Sequence, residues 1–157
     1  MQNEYLKLIS GGTEIVVGET DGTDTIAGAG KLFTWSVDPN FVKYGTNVKG
    51  RPTKKARVQV FETIKDGTFA QIFGGFGENL DRLCLSQSQI IRFVKDDREW
   101  LCRNVRNGTF FLFKVNYELF ISAVDLPMGM LGVTAFPQSY NLIWDSWYRY
   151  RVVVLQL

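Results

Sequence analysis

The stretch RNGTFFLFKVNYELFISAVD, Arg106 to Asp125, constrains this chain most, because it has the composition of two strands and neither has a polar side. Successive side chains of a strand point to opposite faces, so a half-buried strand alternates apolar with polar residues. Here Phe110 and Leu112 share one face, while Phe111, Phe113 and Val115 share the other. The return strand repeats the pattern, with Leu119, Ile121 and Ala123 on one side and Phe120 and Val124 opposite, only Ser122 between them. A tight reversal at Asn116-Tyr117 joins the two. A ribbon apolar on both faces needs a covering layer on each.

The rest of the chain is read for those layers. YLKLI and TEIVV are short strands, followed by the glycine-rich GETDGTDTIAGAG. KLFTWSV reads as a strand stopped at Asp38-Pro39, since proline cannot donate to a ladder and restricts the residue before it. ARVQVFETIKDGTFAQIFGG reads as a hairpin turning at Asp66-Gly67, with Val58 and Val60 on one face and Phe61 and Thr63 on the other. ENLDRLCL suggests a short helical turn. Ser86 and Gln89 then form the S-x-x-Q pattern of a capping box ahead of one amphipathic helix, Gln87 to Cys102. Ile90, Ile91, Phe93, Val94, Trp100 and Leu101 make its apolar side, and Arg92, Lys95, Asp96, Arg98 and Glu99 its wet side. Asn104 and residues 106–108 end it. LGVTAFP and YRYRVVVLQL complete an antiparallel meander.

One helix covers one face. The other face of the ribbon must then meet the N-terminal strands, a second subunit or a ligand, unless a curved sheet closes on itself. The expected architecture is therefore a single α+β domain over residues 1–157: a glycine-rich β segment and basic loop in 1–56, then hairpin, helix and meander in 57–157. Its sheet is mainly antiparallel, strongly curved or barrel-like, with one amphipathic helix packed on it.

Composition narrows the chemistry. At 157 residues a chain buries roughly 70% of the surface it exposes when unfolded, and 45% apolar residues rule out intrinsic disorder. There is no histidine, which removes Ser-His and Cys-His nucleophile pairs and the commonest nitrogen ligand for metals. Cys84 and Cys102 bracket the expected helix, over 20 Å apart at about 1.5 Å per residue, and read as free thiols. Neither a metal nor a cofactor is expected. Asp21 and Asp24 share a glycine loop without the spacing of a calcium loop, and Asp96, Asp97 and Glu99 read as a solvated helix face. Gly75-x-Gly77 and the Gly45/Gly50 pair lack the residues that touch phosphate in nucleotide-binding loops. With no apolar run of about 18 residues and an N-terminus unlike a secretory signal, the expected setting is cytoplasmic and not membrane-bound.

Two surface features remain. The loop KYGTNVKGRPTKKAR carries Lys43, Lys49, Arg51, Lys54, Lys55 and Arg57 without an acid, which suits contact with a nucleic-acid backbone. The segment YNLIWDSWYRYR combines Trp144, Trp147, Tyr148 and Tyr150 with Arg149 and Arg151, the residue types of interface hot spots. On the terminal strand Tyr148, Tyr150, Val152 and Val154 share one face and Val153 and Leu155 the other, so this strand too must be paired.

KDGTFAQIFGGFGENL, LCLSQSQIIRFV, GTFFLFKV and the closing RVVVLQL resemble segments of short uncharacterised proteins of small-genome candidate-phylum bacteria. The resemblance spans about Arg57 to Leu157, departs at Leu155 where that family would carry proline, and implies one co-folded unit without implying an activity. The residues themselves point to a non-enzymatic binding or assembly module that meets a protein partner, or a second copy, through Trp144, Trp147, Tyr148, Arg149, Tyr150 and Arg151. The alternative is a nucleic-acid-binding protein using Lys43 to Arg57. An enzyme built on carboxylates is the third reading.

Overall fold

Eight strands join in one sheet in the computed structural model, which describes residues 3–103 and 105–156. In chain order they are β1 (Leu6–Leu8), β2 (Ile15–Val17), β3 (Ser36–Val37), β4 (Ala56–Thr63), β5 (Thr109–Val115), β6 (Glu118–Asp125), β7 (Gly132–Pro137) and β8 (Arg151–Leu155). Three α-helices accompany them: α1 (Asn40–Lys43), α2 (Phe69–Gly74) and α3 (Gln87–Asp96). Across the sheet the order is β1, β4, β8, β5, β6, β7, β3, with β2 sharing the outer edge of β4 with β1. Pairing is antiparallel except for β5 with β8 and β3 with β7. The fold is thus α+β and mostly antiparallel. The strand path is open and the sheet is not strongly curled, so barrel-like closure is not how the chain solves its covering problem.

The two-faced ribbon sits where its composition demands, in the middle. β5 and β6 pair from Thr109 with Val124 to Val115 with Glu118. Their reversal places Asn116 and Tyr117 at φ +50° and +67°, the pair of positive angles a two-residue primed turn needs. The terminal strand does not follow β7 in a meander. It crosses back to lie between β4 and β5, the position its Val152-Val153-Val154 run suits, since all three are buried.

Each face has its own lid. Phe111, Phe113, Phe120, Val124 and Val153, with Val58 and Val60, pack under Ile90, Phe93 and Val94 of α3 and under Ile26, Phe33 and Phe41 from the front third of the chain. Phe110, Leu112, Ile121, Ala123, Val152 and Val154 pack instead under Phe69, Ile72 and Phe73 of α2, with Leu83 and Trp144. The second cover is therefore a second helix of the same chain, not the N-terminal strands, another subunit or a ligand.

This corrects the hairpin expected at Asp66-Gly67. Gly67 does not take the positive φ a primed turn requires, and the chain enters α2. Thr68 Oγ1 accepts from the Gln71 N–H, and the Thr68 N–H donates to Gln71 Oε1, a capping box of the same form as the one Ser86 and Gln89 make on α3. A side chain on Gly67 would meet the Tyr5 ring at 2.9 Å, so its glycine serves close packing.

Two other expectations are shortened. α3 ends at Asp96 rather than Cys102, and a 3-10 turn, Arg98–Trp100, carries Trp100 and Leu101 onto the same apolar face. Asp96, Asp97 and Glu99 cluster at the negative end of the helix dipole, where further α-helix is disfavoured. Burial and those two neighbours push the Asp97 carboxyl above its ordinary value. Asn104 lies outside the described residues. Of KLFTWSV only Ser36–Val37 is strand, because the N–H groups of Leu32 and Phe33 both donate back to Ala29, rolling Phe33 into the core. No helix among the described residues is long and apolar enough to cross a membrane.

Candidate partner-binding turn

The connection from β7 to β8 runs over the second face and is stapled to it by Trp144. That ring lies 4.9 Å from Phe110, 5.0 Å from Phe69 and 5.3 Å from Tyr150, centroid to centroid. Its backbone exchanges both hydrogen bonds with Gly67. Beyond it the chain makes a 3-10 turn, Ser146–Tyr148, capped by Asp145, whose Oδ1 accepts from the Trp147 N–H at 2.9 Å. Asp66 pins the turn from the other side: its Oδ1 accepts from both the N–H and the Oγ–H of Ser146 at 2.8 Å. Those two donors hold the Asp66 carboxyl below its ordinary value.

The turn ends at Arg149 with φ +54°, a left-handed residue that reverses the direction in which the next side chain leaves. Tyr150 therefore goes back into the core, stacked 5.2 Å from Phe110, while Trp147 stays 79% exposed with Tyr148 edge-on to it at 5.4 Å. An open hollow of about 640 Å³ lies on one flank, lined by Lys7, Glu62, Ile64, Asp145, Trp147 and Arg149. A second, of about 370 Å³, shares Glu62 and Arg149 and adds Glu99, Arg103, Tyr148 and Arg151. Strand register puts Lys7, Glu62 and Arg151 side by side on β1, β4 and β8, a row of alternating sign in which no two form an ion pair among the described residues.

The aromatic and arginine residues singled out in the sequence thus divide. Trp147, Tyr148 and Arg149 are on the surface. Trp144 and Tyr150 are 5% and 8% exposed and belong to the core, where they cannot offer a face to a partner. Arg151 is half-buried and donates from Nη1 to the Trp100 carbonyl, bracing the turn after α3. Asp66 and Asp145, which rigidify the site, and Lys7 and Glu62, which line it, were not singled out. Asp145-Ser146-Trp147 carries the short signal of an Asx cap; the Asp66 contact spans 80 positions and leaves none.

All six cations of the basic loop, Lys43, Lys49, Arg51, Lys54, Lys55 and Arg57, are exposed. Arg57 is held by Glu14 at 2.8 Å, an acid that lies far away in sequence. Cys84 and Cys102 are free, and burial beside Asp81 pushes the Cys84 thiol up to about 12, outside the range of reactive thiols. No protein-family model, no curated protein and no solved structure matches this chain.

Proposed function

We propose that this chain is a non-enzymatic binding or assembly module that contacts a protein partner, or a second copy of itself, through the turn at Trp147, Tyr148 and Arg149. The observation that carries this reading is a tryptophan left 79% exposed on a turn that Asp66 and Asp145 hold rigid. Trp, Tyr and Arg dominate interface hot spots because they combine large apolar area with directed polar groups. A pre-formed turn loses little conformational freedom when a partner covers it. The row of Lys7, Glu62 and Arg151 beside it supplies charges of both signs for a polar rim.

Sedimentation over a range of concentrations, with cross-linking of the full chain to bound proteins, tests this reading. Association that Trp147→Ala and Arg149→Ala each weaken at least about tenfold supports it, the usual cost of removing a hot-spot side chain. Association indifferent to both substitutions, or its absence from both measurements, removes it. A second reading rests on the five loop cations other than Arg57, which form no ion pair among the described residues. Nucleic-acid binding by that loop requires affinity that falls steeply with salt and disappears when Lys54 and Lys55 become alanine.

A further inference from the structure

A separate hollow of about 560 Å³ opens beside β3, β6 and β7, a volume within the range of small-molecule sites. Three of its lining side chains, Asp125, Trp35 and Ser36, converge over one glycine, Gly132. Register places Asp125 of β6 and Ser36 of β3 as the two lateral neighbours of Gly132 on β7. A Cβ built on Gly132 would stand 2.6 Å from Asp125 Oδ1, 3.0 Å from Trp35 Cδ1 and 3.2 Å from Ser36 Oγ. Gly132 does not have positive φ, so its backbone would accept any residue; what requires glycine is that a carboxylate, an indole edge and a hydroxyl converge over it.

The charges lining this hollow are not neutralised by one another. Asp125 is half-buried, and among the described residues its carboxylate accepts no side-chain hydrogen bond and joins no ion pair. Burial pushes its pKa up, and its own backbone N–H and, to a lesser degree, Arg106 on the same hollow draw it back down. The half-buried carboxylate is left wanting an opposite charge, while the Arg106 guanidinium on the same hollow is exposed to water and forms no ion pair among the described residues. The same hollow is also lined by the half-exposed Trp35, by Leu126 and by Met128. Met128 sits at φ +50° ahead of Gly129 at φ +80°, a turn that leaves its side chain 85% exposed at the rim.

We propose that this hollow binds a free α-amino acid with an apolar side chain, its ammonium on Asp125 and Ser36, its carboxylate on Arg106, and its side chain against Trp35, Leu126 and Met128. One small molecule carrying both charges can then meet Asp125 and Arg106, which line the same hollow without forming an ion pair. The acid-base pair is the specificity element; the apolar side chains are a sequence-tolerant cover.

The test titrates the full chain with leucine, methionine and phenylalanine, following the Trp35 indole signal by NMR. Saturable shifts are expected, with N-acetyl-leucine and leucine amide each bound at least about tenfold more weakly, since a charge-assisted hydrogen bond contributes about 1.5–3 kcal/mol. Arg106→Gln, an exposed position, should weaken leucine by a similar factor while leaving leucine amide unchanged. Asp125→Asn should weaken leucine but not N-acetyl-leucine. No saturable shift with any of the three amino acids overturns the proposal. So does binding that blocking either end of the ligand leaves unaltered, or an Arg106→Gln protein that binds leucine as the wild type does.

Discussion

The Phe-rich hairpin of β5 and β6 and the aromatic turn before β8 are alike in composition and opposite in fate. In the strands of the hairpin every phenylalanine is sealed, and only Tyr117 in the reversal is exposed: Phe110, Phe111, Phe113 and Phe120 are buried, the first under α2 and the other three under α3 and the front third of the chain. In the turn two rings go in and two stay out, and a single left-handed residue, Arg149, separates Tyr148 from Tyr150. Aromatic density therefore does not measure exposure. A strand in mid-sheet has no choice about its faces, whereas a capped turn can hold a ring in water for as long as polar contacts such as those of Asp66 and Asp145 fix its backbone.

The largest effects should come from the sealed half. Phe110→Ala and Phe111→Ala remove rings from opposite faces, and each should destabilise the chain by about 3–5 kcal/mol in denaturant unfolding, the range for emptying a packed aromatic site. Near-equal losses would support two complete lids. A small loss at Phe110 alone would mean that α2 is a loose cover. Next come the two capping boxes: Thr68→Ala and Ser86→Ala should each cost about 1 kcal/mol, read in the same way.

The turn should behave otherwise. Trp147→Ala should change unfolding stability by no more than about 0.5 kcal/mol, because so exposed a ring packs on little, while weakening association. The smallest effect is electrostatic. The folded-state pKa of Asp66 is lowered by the Ser146 donors, so its hold on the turn is full above the ordinary carboxylate pKa and is lost as pH falls through the lower, folded value. Trp147 fluorescence should therefore stay constant from neutral pH down to the ordinary carboxylate range and change only below it. In Asp66→Ala that transition should be reduced.

How far this was legible in the sequence follows from which contacts are local. The double-sided ribbon, the Asn116-Tyr117 reversal and the α3 capping box are written within a few residues, and they are found where the pattern puts them. The α2 capping box is equally local, but Asp66-Gly67 just ahead of it carries a competing hairpin signal, and TFAQIF is too short for its period to decide between helix and strand. The position of β8 beside β5 depends on pairing across more than 35 residues, which no window contains. At the turn, Trp147, Tyr148 and Arg149 could be found by residue type alone. The burial of Trp144 and Tyr150 could not, since it depends on one backbone angle and on rings contributed by α2 and β5. The convergence over Gly132 likewise exists only once three strands are in register.

Hydrogen exchange of the backbone amides, followed from dilute to concentrated protein, tests most directly whether one chain covers both faces of its own sheet. The amides of strand residues 110–113 and 120–124 should be the most protected in the molecule, to the same degree at every concentration, with any concentration dependence confined to residues 145–149. Protection of 110–113 and 120–124 that grows with concentration would show that the second lid comes from another subunit, and would contradict the account.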